Sequence, residues 1–519
     1  MIARTLAVGA VALTLASPVA PAVAAPAVHR PLTEAVTAAV TDRLAAGKVP
    51  AAAYAVVEGD QVVTGGYGAG VTADTPFVLG SISKSFTALA VLQLVDRGAV
   101  RLDAPVTEHL PWFRTAGAGG VPTVRQLLDQ TSGLPTSAGV ADLQDTGRSL
   151  EERVRGIAMV RPSSAPGERF QYCNLNFATL GLLVQEVSGR PFGDYLEAEV
   201  LRPLGMSHTY TSVDAAREAG LVRGTVPWFG LAVRREAASF PGALPDGYLV
   251  STAEDMGHYL RMQLGDGTLR GKRVISADLL ALMQRTATST PAGAAAPHTD
   301  GYGLGLATGT AGGTPLVAHE GDVTGFHNDF GLLPERDTGL VVLTAQNSFL
   351  LDNAAAYTAG LAVLSGEEPA TGAGGFWSRY LIVDGVAALV ALLMLLRAVR
   401  LARGRARGCR RNSARRALLG IVGAVVVAAA ATVGLVYGGG ALVQGYPLDP
   451  RLLLTSAPEV AVVAGLLLAY PLVGSLLRTI GALRRGRQPG PAAPQTSAPQ
   501  PARRSAPYAV TTSALIRSS

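Results

Sequence analysis

From Gly80 to Gly98 the chain runs Gly-Ser-Ile-Ser-Lys-Ser-Phe-Thr-Ala-Leu-Ala-Val-Leu-Gln-Leu-Val-Asp-Arg-Gly. A helix over this run is apolar on nearly every side, so it has to be enclosed by a sizeable domain. Pro76 to Leu79 leads into it as an extended apolar segment, and Asp96-Arg97-Gly98 stops it with glycine where a helix end favours positive φ. Ser81 then falls at the mouth of a buried helix. Lys84, three residues on, shares its face and reaches the serine oxygen. A serine hydroxyl needs a base before it attacks. A lysine in a dry site loses affinity for its proton and can serve as that base. The helix N-terminus offers N–H groups to a developing oxyanion. An isolated Ser-x-x-Lys is more often a capping serine with a surface lysine. Against that, this lysine opens an apolar helix, and the chain has only three lysines, Lys48, Lys84 and Lys272.

At 519 residues the chain holds one large domain or two ordinary ones, with extra segments. Its mean hydropathy is positive, +0.29, which directs attention to membrane segments. The net charge of +6 divides into +15 from Arg397 onward, where seventeen arginines face two acids, and −9 before it. The acidic part has no basic patch interleaved with aromatics, so no nucleic-acid partner is expected. The seven histidines show no ligand spacing, and no metal or cofactor is expected.

Residues 1–24 read as a signal peptide, with Arg4 ahead of an apolar core and Ala22-Val23-Ala24 as a cleavage site. A helix is expected from Pro31 to Leu44, with Thr33 as its cap, and a hairpin over 51–58 and 61–67 turning at Gly59-Asp60. Residues 81–245 form a mostly helical insertion. Within it 178–187 is a buried helix, and 212–246 is irregular, with Trp228 and Phe229 either as a substrate wall or as core anchors. Strands follow at 302–306, 316–319, 326–333 and 339–345, then a closing helix at 354–364. Strands from both ends join one antiparallel sheet.

A linker at 366–375 leads to three apolar spans, 376–396, 417–437 and 457–477, each long enough to cross a bilayer. Nine arginines between Arg397 and Arg416 separate the first two, and more follow the third. Both loops should be cytoplasmic, which places residues 25–375 outside the cell membrane. Asp384 lies in the first span. Residues 488–519 have the composition of a disordered tail. Cys173 and Cys409 fall on opposite sides of the membrane, so no disulfide joins them.

Three motifs stand in order before the spans: Ser81-x-x-Lys84, Tyr172-x-Asn174 and His319-Glu320-Gly321. Together they resemble the serine β-lactamase and penicillin-binding-protein superfamily. The closest pattern is its class C β-lactamase, D-alanyl-D-alanine carboxypeptidase and esterase branch. The resemblance covers residues 30–365 and extends to Gln130–Pro135, Arg202–Met206, Gly247–Thr252, Tyr302–Gly305 and Gly325 to Pro334. It implies an α+β fold, an antiparallel sheet flanked by helices with a helical subdomain inserted, here followed by transmembrane helices. It also implies an acyl-enzyme at Ser81, with Lys84 and Tyr172 moving the proton. A phenol beside an ammonium should have its pKa lowered. Asn174, His319 and Gly321 would bind substrate, and the N–H groups of Ser81 and Asp322 would form the oxyanion hole. The β-lactamases and carboxypeptidases usually carry Lys-Thr-Gly where this chain has His319-Glu320-Gly321, a departure that favours esters, peptides and amides. The implied protein is a membrane-anchored extracytoplasmic serine hydrolase acting through an acyl-enzyme on ester, peptide or β-lactam-like substrates, small molecules or peptides that include cell-wall fragments. Its alternatives are a D-alanyl-D-alanine carboxypeptidase and a penicillin- or peptide-sensing receptor without turnover.

Overall fold

The computed structural model describes residues 31–369 apart from positions 118 and 349, residues 378–406, and nine residues between 458 and 469. Eight strands make one antiparallel sheet. In chain order they are β1 (Ala52–Glu58), β2 (Gln61–Tyr67), β3 (Thr288–Ser289), β4 (Thr299–Tyr302), β5 (Ala307–Ala311), β6 (Thr314–Val323), β7 (Phe326–Leu333) and β8 (Thr338–Thr344). Across the sheet they run β2-β1-β8-β7-β6-β5-β4-β3. The N-terminal hairpin thus pairs with the last strand, Ala52 opposite Thr344, as the sequence requires of strands from both ends. Its Gly59-Asp60 turn joins Glu58 directly to Gln61.

Alternation along the strands sends one set of side chains to each face. Ala52, Tyr54, Val56, Leu340 and Val342 pack with helix α1 (Leu32–Ala46) and helix α6 (Ala355–Ser365). Ala53, Ala55, Val57, Val341 and Leu343 pack on the other side, with α2 (Ser83–Asp96) and α5 (Ala253–Leu264). Residues between β2 and β3 carry the helical insertion, including α3 (Leu150–Gly156) and α4 (Asn174–Ser188). Every side chain of α2 from Ser83 to Leu94 is buried. Each of its large apolar side chains contributes about 1.5–3 kcal/mol in leaving water.

Several local expectations change. The cap of α1 is Pro31 with no side-chain bond, and Thr33 lies inside the helix. α4 begins four residues earlier than its apolar run, at Asn174, and ends at Gly189 with φ +67°. Residues 212–246 are not irregular. They hold a helix, Val213–Glu218, and a hairpin, Gly224–Trp228 with Leu231–Arg235, that turns at Phe229. The strand expected at 302–306 keeps only Tyr302, at the end of β4, and residues 303–306, with Gly305 at φ +79°, connect it to β5.

A last helix, α7 (Ser378–Ala406), follows the first expected span. It carries Asp384 and, in its second half, four arginines. Among the described residues no helix is long and apolar enough to cross a membrane, so the expected crossings are not supported there. Residues 1–24, 370–375, 417–437, most of 457–477 and the tail 488–519 lie outside the described residues. Cys173 is a buried free thiol.

Candidate active site

The site lies where the start of α2 meets β6. Gly80–Ile82 forms a single 3-10 turn, and the α-helix proper starts at Ser83, two residues after Ser81. Gly80 has φ +61°, and a Cβ there would stand 2.6 Å from the backbone nitrogen of Asp322. Gly321 is equally constrained, since its Cβ would meet the Leu79 carbonyl oxygen at 1.9 Å. The serine turn and the Gly321–Asp322 peptide therefore touch, and only glycine fits at either point. Polar side chains fix this approach. Ser83 Oγ donates to the Gly80 carbonyl at 2.7 Å, and Asn328 on β7 donates to the Val78 carbonyl at 2.8 Å.

Lys84 Nζ donates to Ser81 Oγ at 2.8 Å and to the main-chain carbonyl of Asp246 at 2.6 Å. It lies 5.0 Å from the centre of the Tyr172 ring. The lysine is wholly buried. That burial pushes its pKa down to about 7, assisted by the Arg153 cation and opposed by Asp246. At neutral pH a large share of Lys84 is a free amine beside the serine hydroxyl.

Tyr172 departs from expectation. Burial raises its pKa well above 10, and an interaction with the Ser81 hydroxyl offsets only part of this. The neighbouring lysine is itself half neutral and supplies no lasting cation to lower it. Tyr172 is therefore a phenol that keeps its proton. Asn174 is the first residue of α4, and its side-chain oxygen is buried with no hydrogen-bond partner among the described residues. This is an acceptor waiting for a donor.

His319 is fully buried, and burial together with Lys84 pushes its pKa down to about 3. Its Nδ1 lies 2.6 Å from the Glu320 carbonyl, which can only accept, so the ring proton sits there. Nε2 is left to accept from the Tyr302 hydroxyl at 3.2 Å. His319 is a neutral, doubly engaged wall of the site.

Past Ala318, β6 has β7 on one side only. The Glu320 N–H points off that free edge to the Ala295 carbonyl at 3.2 Å. N–H groups two residues apart on a strand point the same way, so the Asp322 N–H also leaves the free edge, beside Gly80. The structure thus brings Ser81, Lys84, Tyr172, His319, Gly321 and Asp322 to one place, with Asn174 two residues beyond Tyr172 at the start of α4.

Two supports were not legible as site residues. Asp246 acts through its carbonyl, which any residue type supplies. Gln130 was visible only within a longer phrase. Its Oε1 accepts from the Cys173 N–H at 3.0 Å and from Asn176 at 2.6 Å, which holds the Tyr172–Asn174 segment in place.

A buried lysine bonded to a serine at the start of a helix is an arrangement suited to acyl transfer. The Beta-lactamase family model matches residues 36–365, and the chain belongs to that family. "Penicillin-binding protein 4" of Amycolatopsis lactamdurans is 34% identical over 315 residues, covering 57% of this chain and 81% of that protein. "Protein flp" of Staphylococcus aureus is 28% identical over 318 residues, covering 58% of this chain. The chain spans 61% of the length of that relative. The octameric penicillin-binding protein homologue from Pyrococcus abyssi superposes with a TM-score of 0.55 at 25% identity, covering 68% of this chain and 80% of that one. Its family is that of β-lactamase-related proteins, and its site carries a buried serine–lysine pair.

Proposed function

We propose that the protein hydrolyses neutral ester, amide or peptide substrates through an acyl-enzyme at Ser81. The observation that carries this is the 2.8 Å bond from a buried Lys84 to the serine oxygen. Lys84, as free amine, takes the Ser81 proton while Oγ attacks the substrate carbonyl. The N–H groups of Ser81 and Asp322 receive the negative oxygen. The proton then passes from Lys84 to the leaving group, with the Tyr172 hydroxyl as relay because it keeps its own proton. Water, deprotonated by the same lysine, releases the acyl group. The open Asn174 oxygen accepts an N–H of the acyl part.

The neutral, fully engaged His319 offers no cation to a substrate carboxylate. This favours esters and amides over peptides ending in a free carboxylate. A D-alanyl-D-alanine carboxypeptidase is the second reading, supported by the 34% identity to a relative named a penicillin-binding protein. A panel of matched substrates decides between them. Preference for an ester or amide over the corresponding free-acid dipeptide supports the first reading; release of D-alanine from a muropeptide supports the second. Acylation by penicillin without turnover would instead make the protein a sensor.

The apolar spans and arginine-rich loops support membrane anchoring with the catalytic part outside, where cell-wall fragments would be within reach. Reporter fusions after residues 369, 406 and 447 test this, with only the second expected on the cytoplasmic side.

A further inference from the structure

A charged cluster lies buried behind Lys84. Arg153, on α3, is completely buried and donates to both carboxylate oxygens of Asp246, at 2.7 and 3.0 Å. It also donates to Asp142 at 2.7 Å and to the Gly242 carbonyl. The side chains of Asp142 and Asp246 are 4% and 1% exposed. Arg148 supplies Asp142 with a second cation. The same Asp246 whose side chain Arg153 grips uses its main-chain carbonyl to accept from Lys84.

Ion pairs buried this deeply repay their desolvation only with full pairing, and Arg153 supplies that pairing to both carboxylates. Without Arg153, the Asp246 carboxylate would lose its ion-pair partner, with Arg148 held on Asp142 and Lys84 already at the Asp246 carbonyl. It would then hold Lys84 as an ammonium and remove the base. We infer that Arg153 is a positioning residue for the reaction: by engaging the Asp246 carboxylate it leaves Lys84 only the Asp246 carbonyl, and so keeps the amine free to accept the serine proton. The other groups around Lys84 are Tyr172 and Cys173 ahead of α4 and His319 on β6. Burial keeps Tyr172 and Cys173 protonated and His319 neutral near pH 7. Asp246 and Arg153 are then the charges that set the state of Lys84.

This inference rests on the hydrolase reading, and the test separates the two. Full-length wild type, Arg153→Met, Arg153→Lys, Asp246→Asn and the Arg153→Met/Asp246→Asn double variant are each checked for folding by circular dichroism. The rate of Ser81 labelling by a fluorophosphonate is then followed from pH 5 to 9. Arg153→Met should move the acid limb to higher pH by ~1 unit, a roughly tenfold loss below pH 7. Asp246→Asn should move it to lower pH. The double variant and Arg153→Lys should return towards wild type. A purely structural role would lower all rates while leaving the limb where it was, and that result in folded variants overturns the inference. If Arg153→Met does not fold, an unmoved limb in Asp246→Asn overturns it alone. Unfolding measured against pH reads the same lysine without catalysis. Stability should begin to rise near pH 7 in wild type and nearer pH 8 in Arg153→Met, so failure to label at any pH would sink the hydrolase reading and still leave this one decided.

Discussion

Lys84 should cost the protein stability, and Lys84→Met should recover it. Burial takes the lysine pKa from 10.5 to about 7. The unfolded chain therefore binds a proton between those values that the folded chain does not. Stability rises with pH across that window, and the full penalty is present below pH 7. A shift of this size corresponds to about 5 kcal/mol. Methionine fills a similar volume without charge, but it leaves the Asp246 carbonyl without its donor, a loss of about 1–3 kcal/mol. The variant should thus be more stable than wild type by about 2–4 kcal/mol at pH 7. Near pH 10.5 the penalty has vanished, and the order should reverse by about 1–3 kcal/mol. Urea unfolding of both proteins at several pH values between 6.5 and 10 reads this crossing. A variant that is less stable at pH 7, by an amount that does not change with pH, would refute the assignment of Lys84 as a desolvated, half-neutral base.

Other predictions follow from the same geometry. His319→Gln should change substrate affinity but leave the acid limb of the pH–rate profile near 7, because His319 is already neutral there; a displaced limb would return the titration to histidine. Asn174→Ala should raise KM about tenfold for substrates with an acyl-side N–H and leave those without one nearly unchanged, the worth of one hydrogen bond. Equal loss for both kinds of substrate would deny its role. Gly321→Ala, whose Cβ would meet Leu79 O at 1.9 Å, should destabilise by about 2 kcal/mol and suppress acylation a hundredfold or more. Wild-type rates in that variant would mean that the contact between serine turn and strand is not required.

The sequence exposed the parts of the fold that follow a local rule. The hairpin 51–67, the buried helix after Ser81 and the strand 326–333 were legible because alternation and all-round apolarity leave few alternatives. The hairpin Gly224–Arg235 was not, because Pro227 and Phe229-Gly230 disguise its alternation and its base is tied to the Gly325 carbonyl from far along the chain. Five of the site's side chains, Ser81, Lys84, Tyr172, Asn174 and His319, stood out within their motifs. Of its electrostatics, the depressed lysine was legible from its place at the mouth of a buried helix, whereas the protonated Tyr172 was not, since its burial is set by distant segments. Asp246 was hidden for a simpler reason: its carbonyl reaches Lys84 across 162 residues of chain.

The central claim is that Ser81 is a nucleophile activated by Lys84. Intact-protein mass spectrometry of the full chain after a fluorophosphonate, and separately after a penicillin, tests it most directly. The account predicts one fluorophosphonate adduct, mapping to Ser81, lost in Ser81→Ala and slowed by orders of magnitude in Lys84→Met. No adduct on a folded sample, or an adduct that persists in Ser81→Ala, would contradict it.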